Sequence, residues 1–223
     1  MKTQVKTQPR LERRETPCLG GLHVRPTEDG GESRSIEGMA IVFNRRSVPL
    51  YDDGGLEIRE VIAPEAVTQQ LLDSSDILVT LYHDNGRILA RSVNGQGSLS
   101  YELTGEGVRF RFEAPDTEDG RTALELVKRG EISGCSFAFY IDTTKEGAQT
   151  RSVETTKEGK RIVTYTVNKI RSIRDFSLTP RPCYRDTSVG TRLRDAENAM
   201  QDDTEDYMTE VERLRSLACK CDC

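Results

Sequence analysis

Three short stretches of this 223-residue chain carry side chains able to move a proton or attack a carbonyl. The first is Leu81-Tyr82-His83-Asp84, where an apolar run ends in a histidine beside a turn. A histidine at a strand end next to a loop is placed to meet substrate, and imidazole is the side chain that accepts and returns protons near neutral pH. The second is Gly134-Cys135-Ser136-Phe137-Ala138-Phe139. Side chains alternate along a strand, so Cys135, Phe137 and Phe139 share a bulky apolar face that reads as core. Gly134, Ser136 and Ala138 share a small, open face on which Ser136 carries the only hydroxyl. The third is Ile173-Arg174-Asp175-Phe176-Ser177-Leu178-Thr179, where the same alternation sends Phe176 and Leu178 inward and Asp175, Ser177 and Thr179 to the other side. A carboxylate there can orient an imidazole and stabilise its cation. Asp84 is the rival acid, but adjacent residues on an extended chain point apart. Each stretch alone also fits a simpler role: a turn histidine, a packed serine, a surface acid. His23, in a short strand, reads as structural.

The elements that must carry these residues are short and mostly extended. Leu22–Arg25, Ile36–Phe43, Glu57–Ile62, Ile77–Tyr82, Ile88–Val93, Ser98–Leu103, Val108–Glu113 and Ile132–Ile141 alternate or run apolar between turn residues. Gly38 suggests a bulge or a close backbone approach. The pattern places turns at Asp52–Gly55 and His83–Gly86. Pro64 opens a helix through about Leu72, as proline prefers the first helical position. Thr117–Arg129 reads as an amphipathic helix with Ala123, Leu124 and Val127 on one side and Gly130 as its stop. Asp142–Lys160 reads as a polar excursion, and Arg161–Thr179 as one long strand or two. The expected fold is α+β: mainly an antiparallel β-barrel or curved sheet with a few flanking helices.

Composition bounds the partners. The net charge of −5 disfavours nucleic acid, which calls for clustered Lys and Arg. No apolar run reaches the roughly 20 residues of a membrane span, and Met1–Arg14 lacks the apolar core of a secretion signal. The chain is therefore expected to stay in the compartment where it is made, without disulfides among its six cysteines. Cys219, Cys221 and Cys223 end the chain as C-x-C-x-C. They read as reduced thiols, with a zinc-binding tail as the alternative. Residues 1–19 read as a basic disordered extension, 20–188 as the folded domain, and 189–223 as an acidic, helical tail.

Taken together, the segments resemble the prohead proteases of tailed bacteriophages, serine proteases related to herpesvirus assemblins. The likeness runs through Leu22-His23-Val24-Arg25, Ile36-Glu37-Gly38-Met39-Ala40-Ile41-Val42-Phe43-Asn44 and Glu60-Val61-Ile62-Ala63-Pro64-Glu65-Ala66-Val67. It continues through Leu81-Tyr82-His83-Asp84, Gly134–Phe139 (the family's G-x-S-x-G-F) and Asp175–Thr179 (its E-x-S-L-V). It covers about residues 20–188. The chain departs from the family in three places: Asp175 stands for glutamate, Ala138 for glycine, and Glu65 for the glycine of the helix start.

The resemblance implies a herpesvirus-protease-like fold with His83 as general base, Ser136 as nucleophile and Asp175 at the place of the family's acid. It implies a serine endopeptidase that works through an acyl-enzyme and needs no cofactor or metal. The implied substrates are a scaffold protein or the scaffolding segment of the major capsid protein, and the chain itself by autocleavage. The implied place is an assembling procapsid in the host cytoplasm, with no nucleic acid or membrane as partner. A homodimer follows by analogy with assemblin-type relatives. Two other readings stand beside it. One is a catalytically inactive assembly or scaffold module of the same fold. The other is a cysteine protease pairing Cys135 with His83, which strand parity opposes.

Overall fold

The computed structural model describes residues 11–16 (as backbone), 22–25 and 33–180. In chain order, the strands up to the first helix are β1 (Leu11–Thr16), β2 (His23–Val24), β3 (Ser35–Val42), β4 (Tyr51–Asp52) and β5 (Leu56–Ile62). A 3₁₀ turn (Pro64–Ala66) and helix α1 (Gln69–Ser74) follow. Then come β6 (Asp76–Leu81), β7 (Asp84–Val93), β8 (Gln96–Gly97), β9 (Leu99–Leu103), β10 (Gly107–Glu113) and helix α2 (Glu118–Lys128). The last strands are β11 (Gly134–Ile141), β12 (Gln149–Thr155), β13 (Arg161–Val167) and β14 (Ile170–Thr179).

The protein is mostly β, with mainly antiparallel strands. Its strands form three sheets, in the orders β1-β11-β14-β6-β7-β8, β2-β3-β10-β9 and β12-β13-β5-β4. None closes as a barrel among the described residues, which corrects the barrel expectation. The first sheet ends on β1 and β8, so its edges do not meet.

By internal contacts the described residues fall into two compact units. The first holds the chain up to Val48, Glu60–Ser152 and the stretch from Thr164. Its core lies between the first two sheets. β10 shows why the sequence folds this way: Val108, Phe110 and Phe112 are buried while Arg109, Arg111 and Glu113 are exposed, the pattern of a strand with one wet face. The rings of Phe110 and Phe176, one from each sheet, lie 5.8 Å apart, and those of Phe137 and Phe139 stack at 4.9 Å. In contrast, β11 is buried on both faces over Gly134–Phe139. Helix α2 begins where Thr117 Oγ1 accepts the Gly120 amide (3.2 Å) and ends before Gly130, whose φ of +72° suits a left-handed stop.

The second unit is built from Pro49–Arg59 and Val153–Val163. Lys160 ties it together, donating to Glu57 (2.6 Å) and Asp52 (2.9 Å), while Arg59 also bonds Glu57. Chiefly through the Lys160 ammonium, the buried Glu57 carboxyl is held below the usual carboxylate range. Asp52 is lowered by the same partner first, and Lys160 is raised by Glu57 first. A lowered carboxyl adds stability that is present above its unfolded value of about 4.3 and is lost as pH falls through the folded value. The raised lysine adds stability present below about 10.4 and lost as pH climbs through its folded value. The protection of the Leu56 and Arg161 amides, relative to their intrinsic exchange at each pH, should therefore stay flat near neutral pH and fall on acidification. Lys160→Met should shrink that acid-side loss of protection, because the carboxyls move back toward their unfolded values; identical profiles in the two proteins would rule out the coupling.

Several local expectations shift. The helix expected from Pro64 is split, with Val67 and Thr68 extended, because Thr68 Oγ1 caps α1 by accepting the Leu71 amide (3.1 Å). The bulge expected at Gly38 falls at Ala40, where the β3–β10 register slips. The polar excursion contains β12, an exposed strand without apolar alternation. Leu11–Thr16, within the stretch read as a disordered extension, form β1, an edge strand that pairs through its backbone with β11. The acidic tail and Cys219, Cys221 and Cys223 lie outside the described residues.

Candidate active site

Three neighbouring strands of the first sheet place the candidate residues. β14 is central, paired antiparallel to β11 on one side and parallel to β6 on the other. Across this line Ser136 pairs with Ser177, and Ser177 with Thr80. Asp175, Ser177 and Thr179 alternate to the same face as Gly134, Ser136 and Ala138. His83 comes just past the end of β6.

The turn that carries His83 differs from the one expected. Leu81 pairs with Asp84, so Tyr82 and His83 form a two-residue hairpin connection, each at φ 57°. Thr80 pairs with Ile88, so Asn85–Arg87 bulge from β7, and Asp84 Oδ1 accepts the Gly86 amide (2.8 Å). The anticipated single turn at His83–Gly86 is thus a hairpin turn followed by a bulge. Two non-glycine residues in the left-handed region cost roughly 1–2 kcal/mol each. Two hydrogen bonds pin them: Tyr82 N–H to Leu178 O (3.2 Å) and His83 N–H to Ser177 Oγ (2.7 Å). Each returns only about 1 kcal/mol. Burial of Ile77, Val79 and Leu81, all at 0% exposure, supplies roughly 1.5–3 kcal/mol per side chain and holds the strand that ends in the turn. Strain of this kind gathers where a side chain must be aimed.

The imidazole lies between the other two groups. His83 Nδ1 is 2.8 and 3.1 Å from the Asp175 carboxylate oxygens, and Nε2 is 2.7 Å from Ser136 Oγ. These residues are 92 and 53 positions apart in sequence. A carboxylate can only accept, so Nδ1–H donates to Asp175. Nε2 of the neutral ring is left to accept the Ser136 hydroxyl proton. The arrangement can therefore deprotonate the alcohol at Nε2 while the carboxylate holds the tautomer and faces the developing cation. Asp175 is 5% exposed and Ser136 0%.

Other candidates fall apart from this group. Asp84 is exposed and turned to Gly86. His23 is bonded to Glu37 (2.9 Å) on the second sheet. Cys135 lies in the hydrophobic core with Phe137 and Phe139. The face around Ser136, expected to be open, is covered: Gly134, Ser136 and Ala138 are all buried. The His83 ring lies against the hydroxyl, and both edges of β11 are paired. Sequence reasoning put Ser177 on this face but gave it no role. Its hydroxyl donates to Thr80 O (3.4 Å) and accepts the His83 amide, so it positions the strained turn. Spacing of two from Asp175 was the available signal. Among the described residues, no group of three or more His, Cys, Asp or Glu is placed to hold a metal ion. No helix among the described residues is long and apolar enough to cross a membrane.

A family profile described as Caudovirus prohead serine protease matches residues 21–202. Comparison with curated protein sequences finds no match. A solved structure, the bacteriophage T4 capsid assembly protease gp21, is similar over 75% of this chain and 99% of its own, at 15% identity and a TM-score of 0.36.

Proposed function

This chain belongs to the Caudovirus prohead serine protease family, and we propose that it is an active member: a serine endopeptidase with Ser136 as nucleophile, His83 as general base and Asp175 as the acid that orients it. The observation that carries the reading is the unbroken hydrogen-bonded run from Asp175 through His83 to Ser136. In the first step His83 Nε2 takes the Ser136 proton and Oγ bonds to the peptide carbonyl carbon. The amine then leaves with the proton from Nε2, giving an acyl-enzyme. Water, deprotonated by the same nitrogen, releases the acid and restores the serine.

The substrates in this reading are scaffold protein or the scaffolding segment of a capsid protein, met inside an assembling procapsid in the host cell, and the chain's own extensions. Residues 1–19 and 189–223 are the extensions and 20–188 the protease domain, in a herpesvirus-protease-like arrangement. A fluorophosphonate probe with peptide mapping tests the assignment. The adduct is expected on Ser136, absent in Ser136→Ala, and formed at least about 100-fold more slowly in His83→Ala, the usual scale of general-base catalysis. Labelling spread over other serines, or equally fast without the imidazole, would leave the inactive assembly module as the better reading.

A further inference from the structure

The strand that bears Ser136 has two edges, and they are held differently. On one side β14 pairs with it from Gly134↔Thr179 to Ile141↔Ile170, in the middle of the sheet. On the other side lies β1, the last strand in the sheet, which among the described residues pairs with β11 alone. Its register runs without a break from Leu11↔Tyr140 to Thr16↔Cys135 and sets Glu15 directly opposite Ser136. The segment reads Leu-Glu-Arg-Arg-Glu-Thr and lacks the apolar alternation that anchors β10 or β6.

An edge strand presents a row of N–H and C=O groups that any extended peptide can pair with. A protease must bring a peptide carbonyl to its nucleophile in extended form, and here Ser136 has 0% exposure. We infer that the edge of β11 away from β14, beside Ser136, is a strand-docking surface whose resident occupant is the chain's own Leu11–Thr16, so that an extended peptide substrate must displace this segment to reach the site. The inference rests on the reading of Ser136 as nucleophile. It makes the basic N-terminal stretch an intramolecular competitor for substrate: activity is lowered by the fraction of molecules in which β1 is docked.

The test keeps the full chain and weakens only the ladder. Neighbouring residues of a strand aim their N–H groups to opposite sides. The pair Arg14→Pro with Glu15→Pro therefore removes one donor to β11 whichever of the two supplies it. With an unchanged thermal midpoint, this variant should label Ser136 with a fluorophosphonate roughly tenfold faster than the parent chain. A synthetic peptide of residues 8–19 should slow it again. Amide exchange over Gly134–Ile141 should rise, reading the displacement without any chemistry. Labelling at the parent rate, or unaltered exchange along β11, overturns the inference. If exchange rises but neither protein labels at Ser136, the nucleophile assignment falls, and with it the claim that displacement admits substrate.

Discussion

Ser136→Ala should lower kcat on a scaffold-derived substrate by about 10⁶-fold while leaving the protein folded, the scale seen when the nucleophile of a hydrogen-bonded Ser-His-Asp set is removed. The size follows from the absence of a substitute within the described site. The Ser136 hydroxyl is the one that meets His83 Nε2, at 2.7 Å. The next hydroxyl along the sheet, Ser177, is occupied by the His83 amide and the Thr80 carbonyl. Cys135 is adjacent in sequence, yet its side chain lies on the opposite, apolar face among Phe137 and Phe139. Rescue would need the strand to turn over, and a one-residue slip would reverse every inward and outward residue of β11. Cleavage followed by gel and mass spectrometry, with the thermal midpoint as the folding control, reads the result. Activity within tenfold of the parent would exclude Ser136 as nucleophile.

The second large effect concerns the acid. Asp175→Asn should reduce kcat by about 10⁴-fold with little change in shape. The carboxylate accepts the Nδ1 proton through oxygens at 2.8 and 3.1 Å. An asparagine that turns its NH₂ to Nδ1 favours the other tautomer, with the proton on Nε2, where it cannot take the serine proton. A near-normal rate in the folded variant would remove Asp175 from the mechanism. The structure adds a finer expectation. Asp175 and Ala138 are direct cross-strand partners. The motifs this chain resembles carry glutamate and glycine at these two places, so the pair has moved one carbon from the acid to its neighbour. Asp175→Glu alone puts an added methylene into a buried site and should cost activity, because overpacking displaces side chains. Adding Ala138→Gly should recover much of the loss. Contacting residues couple in this way, and the double-mutant cycle measures it. Independent effects would show that the two substitutions are unrelated.

A stretch of sequence determines what its own periodicity can express. The two-sided character of β11 was legible because alternation sorts Cys135, Phe137 and Phe139 from Gly134, Ser136 and Ala138 within six residues. α2 was legible because its cap, apolar stripe and glycine stop are all local. The resemblance added which three residues to consider together. Tertiary structure decided the rest. That β14 lies between β11 and β6 depends on strand pairings across 29 to 45 and 97 residues, and His83 meets its partners across 53 to 94. No local pattern encodes such pairings, because strand partners are chosen by the packing of whole faces. The left-handed pair Tyr82 and His83 was missed because positive φ is uncommon for any residue other than glycine; packing of β6 and the Ser177 hydroxyl hold it. β1 was missed for a related reason. An edge strand can take its order from a neighbour's unpaired backbone, and backbone groups are the same in every residue but proline, so the sequence carries no mark of the partner.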